Sequence, residues 1–480
     1  MRWLFAAEWL VRIAMFVVIV TRKRSAGTAL AWLAIVAFVP FVGALAYFLL
    51  GEVRLGKRRS RQYQQLQDAV DRSPELRRQF ARHGHVTLTG SYRTVAHMAG
   101  AVGAREPRPG NRIELIDAPL LLFERLVRDI DRAEHHCHLL FYIADDSEND
   151  PVTRAVGDAL MRAADRGVAC RVLLDAAGSR RFLRGSTARQ WREEGVKVEA
   201  ALPVNPVRAM AARLDLRNHR KLCVVDGLYG YMGSHNLTDP IYPGKEAFGD
   251  WMDASVRIEG PVVYDLQEVF LHDWAFSVGT LPGDGTFFPA LSSAQVHEGI
   301  AASLLPTAPS TGRSPLLDVI LQTLQLSRER VVLTTPYFVP DDSMLQALRS
   351  ASLRGVNVIL VVPKRGDHAL TQAAGRSHYG FLLDAGVEIR EYPGALLHAK
   401  TLTMDRELAI LGSANLDVRS FSLSFELALL VYDTDFASQL YYLQSEYLAR
   451  AERLTRGAWE RRGPLRSMAD NVARLVTPLL

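Results

Sequence analysis

The chain has 480 residues, 48% of them hydrophobic and 23% charged, with a formal net charge of +5. That balance excludes a wholly disordered chain and leaves room for two catalytic units, or one pseudo-symmetric unit with appendages. Mild basicity suits an anionic partner, either membrane lipid or nucleic acid, and three cysteines without a Cys-x-x-Cys pair suit a reducing compartment rather than a disulfide framework.

In chain order, the first elements are apolar. Trp3 to Val20 is hydrophobic except for Glu8 and Arg12, which stand at i and i+4 and can pair on one helical face. This stretch either spans a membrane as the first arm of a hairpin or lies in the interface as an amphipathic anchor. It lacks a small-residue cleavage site and runs straight into "TRKR", which argues against a signal peptide. Thr28 to Leu50 holds 23 residues without a charge. At about 1.5 Å rise per residue it predicts a helix that crosses a hydrocarbon core of about 30 Å, with Pro40 tolerated inside it. Residues 1–50 therefore read as a membrane anchor. Arg54, Lys57, Arg58, Arg59 and Arg61 place the large domain in the cytoplasm, against the opposing pull of Arg22, Lys23 and Arg24 between the two segments.

Residues 51–110, charged and rich in Gln and Arg, read as a connector. "EHHCH" (134–138) leads into the apolar "LLFYI" and reads as the start of a strand, whose alternating side chains do not suit one metal ion. From there the chain repeats itself. "LLFYIADD" (139–146), "ALMRAADRGVACRVLLD" (159–175) and "EEGVKVEAA" (193–201) precede "HRKLCVVDGLYGYMGSHN" (219–236). "TTPYFVPDD" (334–342), "ALRSASLRGVNVILVVP" (347–363) and "DAGVEIREY" (384–392) precede "HAKTLTMDRELAILGSAN" (398–415). Alternating strands and helices, twice over, predict an α/β fold of two pseudo-twofold-related halves, at 111–280 and 311–480, joined by a Pro- and Gly-rich link at 281–310.

Both closing stretches fit His-x-Lys-x4-Asp-x6-Gly-Ser-x-Asn. Each reads as a hairpin, turning at Asp226-Gly227 and at Asp405-Arg406. His219 and Lys221 project from one strand face, as do His398 and Lys400. Asp226 and Asp405 belong to the motif but stand out of phase with these side chains, placed to bind backbone or fix the turn rather than to touch substrate. A phosphodiester needs a nucleophile, an acid for the leaving oxygen and donors around the non-bridging oxygens. One motif supplies half of that. Two motifs supply one imidazole to attack, another to donate a proton, and Lys and Asn pairs to hold the phosphoryl oxygens, with no cofactor or metal required. With ordinary imidazole pKa values of ~6.5, a phosphate-bridged pair can hold one neutral and one protonated ring.

These motifs resemble the His-Lys-Asp motifs of the phospholipase D superfamily. "RNHRKLCVVDG", "GSHNLTDPIY", "DWMDASVRIEGP", "GSANLDVRSFSLSFELALLVYD", the closing "RLVTPLL" and the two N-terminal hydrophobic segments resemble more narrowly its bacterial cardiolipin synthases. The resemblance covers nearly the whole chain. It implies a phospholipase D-like fold and a membrane-bound phosphatidyltransferase of the bacterial inner membrane, multi-pass, with its catalytic domain in the cytoplasm. It further implies that one histidine attacks phosphatidylglycerol, releasing glycerol, and that a second phosphatidylglycerol takes up the phosphatidyl group. On this resemblance His219 is the nucleophile and His398 the acid, then the base. Lys221, Lys400, Asn236 and Asn415 hold phosphate, with help from Ser234 and Ser413. Asp253 and Glu426 are expected to orient the histidines of their own halves.

Arg220 has no counterpart in the second motif and is expected to matter little. "PLRSMADNVARLVTPLL" at the C-terminus predicts an amphipathic helix with Leu465, Met468, Val472 and Leu475 on one face, packed on the domain or resting on a membrane. A hydrolase with the same site type, acting on phospholipid or nucleic acid, and a non-catalytic membrane scaffold are the competing readings. Two complete motifs argue against the scaffold. The membrane segments, and the lack of a basic stripe interleaved with aromatics, argue against nucleic acid as a partner.

Overall fold

The computed structural model describes residues 2–22, 26–51, 86–146, 150–202, 216–240, 249, 251–282, 287–291, 299–309 and 314–476. At the N-terminus, α1 (Arg2–Val20) lies against α2 (Ala26–Phe38) and α3 (Pro40–Ala46), and a π-helical turn (Tyr47–Gly51) follows. Met15, Ile19, Trp32, Val36 and Tyr47 form a small core of their own between these helices. Arg12 pairs with Glu8 at 3.3 Å and donates to the Ala37 carbonyl at 3.1 Å. The single helix expected over 28–50 is instead broken. Pro40 has no N–H to give and drives Val39 out of the helical region, to φ −134° and ψ 75°. No helix among the described residues is long and apolar enough to cross a membrane. Arg54 to Arg61, on which the orientation was read, lie outside the described residues.

Among the described residues the body is one mixed sheet of sixteen strands, seven long ones from each half of the chain and two short ones. The first half gives β1 (Arg108–Ile116), β2 (His136–Phe141), β3 (Ala169–Asp175), β4 (Lys197–Ala201), β5 (Leu222–Val225), β6 (Tyr229–Gly233) and β7 (Ser255–Glu259). The second gives β8 (Ile300–Thr307), β9 (Arg330–Thr334), β10 (Asn357–Pro363), β11 (Glu388–Tyr392), β12 (Thr401–Met404), β13 (Leu408–Gly412) and β14 (Ser424–Tyr432). Their spatial order is β11-β10-β9-β12-β13-β14-β8-β1-β7-β6-β5-β2-β3-β4. Exchanging each strand for its equivalent in the other half reverses that order and changes nothing else. The centre is the antiparallel pairing of β1 with β8, Arg108 opposite Ala302, as a twofold between them demands. Within each half the three outer strands run parallel and the rest antiparallel.

Helices cover both faces, so the strands read as unbroken apolar runs rather than alternating ones. Leu222 and Val224 turn toward a shared core under α7 (Val262–Val278) and α11 (Thr434–Arg450). Cys223 and Val225 turn the other way, toward α5 (Pro119–Asp131) and α6 (Pro151–Asp165). In the second half, α8 (Pro315–Leu326) and α9 (Asp342–Leu353) take the places of α5 and α6. Earlier in the chain, α4 (Gly90–Ala101) packs on α8. The stretch read as a connector thus contains α4 and the start of β1, and the stretch read as a link contains β8, a strand at the centre of the sheet. Proline, glycine and charge in the flanking segments masked both. Residues 52–85 of the connector lie outside the described residues.

The "EHHCH" run leads into β2, which begins at His136. His136 and His138 face α7, where both bind the Gln267 side chain, and His138 stacks on Phe270 with ring centroids 4.4 Å apart. Burial lowers His136 to about 4 and His138 well below its ordinary value, so both are neutral core residues.

Candidate active site

The two hairpins take the turn their sequence calls for. Asp226 and Gly227 have φ of 54° and 67°, and Asp405 and Arg406 have 51° and 55°, the left-handed pair at the centre of a tight turn that Leu228 N–H closes to the Val225 carbonyl at 3.0 Å and Glu407 N–H to the Met404 carbonyl at 2.8 Å. The Asp226 carboxylate accepts from the backbone N–H groups of Glu134, His135 and His136, each at 2.8 Å. Asp405 accepts likewise from Arg328, Glu329 and Arg330 at 2.8, 2.9 and 2.8 Å. Both motif aspartates therefore pin their turns to the neighbouring strand, and neither belongs with the groups that meet a substrate.

His219 and His398 are brought to one cavity of about 370 Å³, whose wall also includes Asn236 and Asn415. Each histidine leaves a two-residue strand that pairs, in parallel, with the opposite half. Arg217–Asn218 pairs with β14 in the register Asn218 to Phe425, so the next residue, His219, falls beside Glu426. Leu396–Leu397 pairs with Trp251–Met252 in the register Leu397 to Met252, so His398 falls beside Asp253. The imidazoles accordingly meet carboxylates across the pseudo-twofold: His219 Nδ1 lies 3.0 Å from Glu426 and His398 Nδ1 lies 2.7 Å from Asp253. This corrects the expectation that each acid serves the histidine of its own half. Sequence separation favoured the local partner; strand register decides for the distant one.

Ser234 and Ser413 are fully buried behind these acids and do not border the cavity. Ser234 Oγ donates to Asp253 at 2.5 Å and Ser413 Oγ donates to Glu426 at 2.5 Å, while each accepts the N–H of the residue after its acid. They hold carboxylates, not phosphate. The lysines also depart from expectation. Lys221 Nζ donates to the His219 carbonyl at 2.8 Å and Lys400 Nζ to the His398 carbonyl at 2.5 Å, and neither side chain borders the cavity. Asn236 and Asn415 do border it, and both Oδ1 atoms are buried without a hydrogen-bond partner among the described residues.

Burial governs the charges. It lowers Lys221 to about 7 and Lys400 to about 8, since an ammonium is costly away from water. It also lowers His219, and with the nearby Lys400 charge it lowers His398 to about 3. Both shifts favour neutral imidazoles over the mixed pair expected from ordinary pKa values. Burial alone would favour the neutral acid at Asp253, but His398 outweighs it and keeps the carboxyl ionised, well below the usual range. With Nδ1–H donated to a carboxylate, each ring keeps its Nε2 lone pair for chemistry.

Sequence reasoning passed over the aromatic walls. Tyr142 meets the His219 ring edge-on at 4.8 Å, Trp251 lies 4.6 Å from the His398 ring, and Tyr337 donates to Asp367 at 2.6 Å on the cavity wall. Tyr142 and Tyr337 occupy equivalent places in "LLFYIADD" and "TTPYFVPDD", just past β2 and β9, where ligands of open α/β sheets commonly sit. The repeat alignment itself was the signal. Arg220 was also undervalued. It is buried, pairs with Asp273 at 2.7 Å, and donates to the carbonyls of Thr307 and Glu426 at 2.8 and 3.1 Å.

Residues 126–274 and 320–443 match the family described as cardiolipin synthase, PLD-like domain, and residues 10–52 match one described as phospholipase D-nuclease N-terminal. Cardiolipin synthase A of Yersinia pseudotuberculosis (strain PB1/+) is 33% identical over 98% of this chain and 97% of its own length, and that of Yersinia pestis is equally similar. The chain belongs to the cardiolipin synthase family of the phospholipase D superfamily. The cardiolipin synthase match comes in two pieces because the fold does: both pieces end inside equivalent helices, α7 and α11. Among solved structures, phosphatidylserine synthase of Haemophilus influenzae superposes with a TM-score of 0.60 at 15% identity, covering 81% of this chain and all of its own. Polyphosphate kinase of Porphyromonas gingivalis does so with a TM-score of 0.50, covering 72% of this chain and 49% of its own. At such identity these likenesses speak for the phospholipase D-like fold alone.

Proposed function

We propose that this chain makes cardiolipin and glycerol from two phosphatidylglycerol molecules, dividing the transfer between its two histidines. The observation that carries this reading is the pair of imidazoles on one cavity, each with Nδ1 tied to a buried carboxylate of the opposite half. His219 Nε2 attacks the phosphorus of the first lipid. The P–O bond to glycerol breaks, and that oxygen takes the proton that His398 Nε2 gained from solvent when the anionic lipid bound. The phosphatidyl group is left on His219. His398, now neutral, removes the proton from a headgroup hydroxyl of the second lipid, whose oxygen displaces His219 from phosphorus. Both rings return to their first state, and cardiolipin leaves. His219 has the more open side chain, 15% exposed against 5% for His398, which suits the atom that must reach phosphorus.

Asn236 and Asn415 hold non-bridging oxygens from the cavity wall. Lys221 and Lys400 contribute positive charge from just behind the histidines, and their lowered pKa values mean that an arriving anion favours their charged forms. The N-terminal helices anchor the enzyme in the bacterial inner membrane, with the catalytic body on the cytoplasmic side. Supporting this, Trp3, Phe5, Leu10, Phe16, Phe38 and Val42 turn outward from the helical hairpin. Its two arms enter the bilayer together, the second as α2 and α3 in series across the Pro40 break.

The test uses purified protein in mixed micelles of phosphatidylglycerol with a chelator present. Cardiolipin and glycerol should form in equal amounts, and His219→Ala and His398→Ala should each abolish both. Phosphatidic acid as sole product would assign a hydrolase instead.

A further inference from the structure

The C-terminal helix α12 (Pro464–Val476) docks with its faces reversed. Its inward side carries Asp470, which is buried and lies 3.8 Å from Arg376 and 3.7 Å from Arg462, and Ala473, which packs on Val339 and Ala374. Its outward side carries Leu465, Met468, Val472 and Leu475, which are 76%, 59%, 56% and 69% exposed. Their spacing of three, four and three places all of them on one face. A helix that only completed the domain would bury that stripe and show its polar side to water. Here the polar side is used for docking and the apolar side is left out.

Position and charge indicate what covers it. The helix lies on α10 (Ala369–Arg376), which contributes Thr371 to the cavity wall, and Val339 beneath Ala473 lines the same cavity. Leu370, at the start of α10, is also exposed. Around the stripe, Arg461, Arg466 and Arg474 reach solvent, and the one acidic residue of 461–476, Asp470, is turned inward. The exposed surface of 461–476 is thus apolar with a cationic border, the pattern of a helix lying among anionic headgroups.

We propose that the outward face of α12 rests in the headgroup–acyl boundary of an anionic phospholipid bilayer and holds the α10 wall of the cavity against the lipid surface. The proposal rests on the phosphatidyltransferase reading, because that reaction draws its substrates from a bilayer. It adds a second membrane contact, separate from the N-terminal helices and next to the site.

The experiment uses the full chain and a fourfold variant, Leu465→Ser, Met468→Ser, Val472→Ser and Leu475→Ser. Each is assayed on vesicles of phosphatidylglycerol and phosphatidylcholine, and on short-chain phosphatidylglycerol dissolved as monomers. Vesicle turnover should fall roughly tenfold or more while monomer turnover stays unchanged. In parallel, a fluorophore on Met468→Cys, selectively placed because Cys137, Cys170 and Cys223 are all buried, should be quenched by spin-labelled lipid in proteoliposomes. No loss on vesicles, equal loss on both substrates, or an unquenched fluorophore would each overturn the proposal. So would a stripe whose protection depends on protein concentration, which would assign a second copy as its cover. If the parent protein makes no cardiolipin from either substrate, the transferase reading fails, and the quenching still decides the fate of the helix.

Discussion

His398 near 3, with Lys221 and Lys400 near 7 and 8, makes the site hungry for protons once an anion enters. A buried imidazole is neutral because its cation lacks solvation, and a bound phosphoryl group supplies the missing opposite charge. The imidazole pKa is low in the free protein and raised in the complex, so binding takes up a proton between those two values and affinity weakens as pH rises through the upper one. At pH 6 the lysines are already mostly charged, which leaves the histidines as the acceptors. Calorimetry with sulfate, an anion that does not titrate there, should show uptake approaching about one proton per anion when buffers of different ionisation enthalpy are compared. Uptake near zero would mean that the acid of the first step is protonated in some other way.

The crossed carboxylates make a second prediction at the same scale. Glu426→Gln should disturb the ring signals of His219 and leave those of His398 in place, and Asp253→Asn should do the reverse, as read by ¹⁵N-histidine spectra. Turnover should fall about 10²–10⁴-fold in each, the range seen when a histidine loses the acid that fixes its tautomer. Disturbance of the local histidine instead would contradict the register.

At the scale of elements, Arg220 is a bolt between halves. It follows the strand that delivers His219, forms a buried pair with Asp273 on α7, and donates to the backbone of Thr307 on β8 and of Glu426 on β14. Arg220→Met strands the Asp273 charge in the interior, at a cost of about 3–5 kcal/mol, and removes the donor to the Thr307 and Glu426 carbonyls. Urea unfolding should show a loss of that size, and replacing Asp273 with Leu in the same chain should recover much of it. Turnover should stay low in the double variant, since the Thr307 and Glu426 carbonyls still lack the Arg220 donor beside the histidine.

Much of this scale was legible in sequence. The two hairpins, their turns, the strand–helix series and both histidines follow from periodicity and from the repeat. Most of what was not legible had one cause. A motif records which residues lie on a strand, but not which distant strand lies next to it. The exchange of Asp253 and Glu426 between histidines, the bolt at Arg220 and the placement of β8 at the sheet centre all depend on long-range pairing. So does the true work of Ser234 and Ser413, which share the motif with the two histidines yet face the acids behind them. Pro40 is a different case. Its effect on Val39 is local, but a membrane tolerates such breaks often enough that composition alone favoured a continuous helix.

For the whole molecule, the repeat decides how many sites one chain has. Two matched halves are in principle compatible with two independent sites, or with one site in a dimer with parts lent between chains. The palindromic sheet allows neither. β1 and β8 join the halves at the sheet centre, and each histidine takes its carboxylate from the other half of the same chain, through two short parallel pairings. Separating the halves would break that central strand pair, both short pairings and the Arg220 contacts together. One chain therefore carries one complete site. Mixing equal amounts of a His219→Ala chain and a His398→Ala chain should consequently restore no cardiolipin synthesis, whatever the oligomeric state, because no association through outer surfaces brings an intact His219 to an intact His398. Recovery of activity on mixing would show that the halves exchange between chains, and the intramolecular pairing would have to be abandoned. Silence in the mixture, with parent protein active under the same conditions, is the outcome that the sheet order requires.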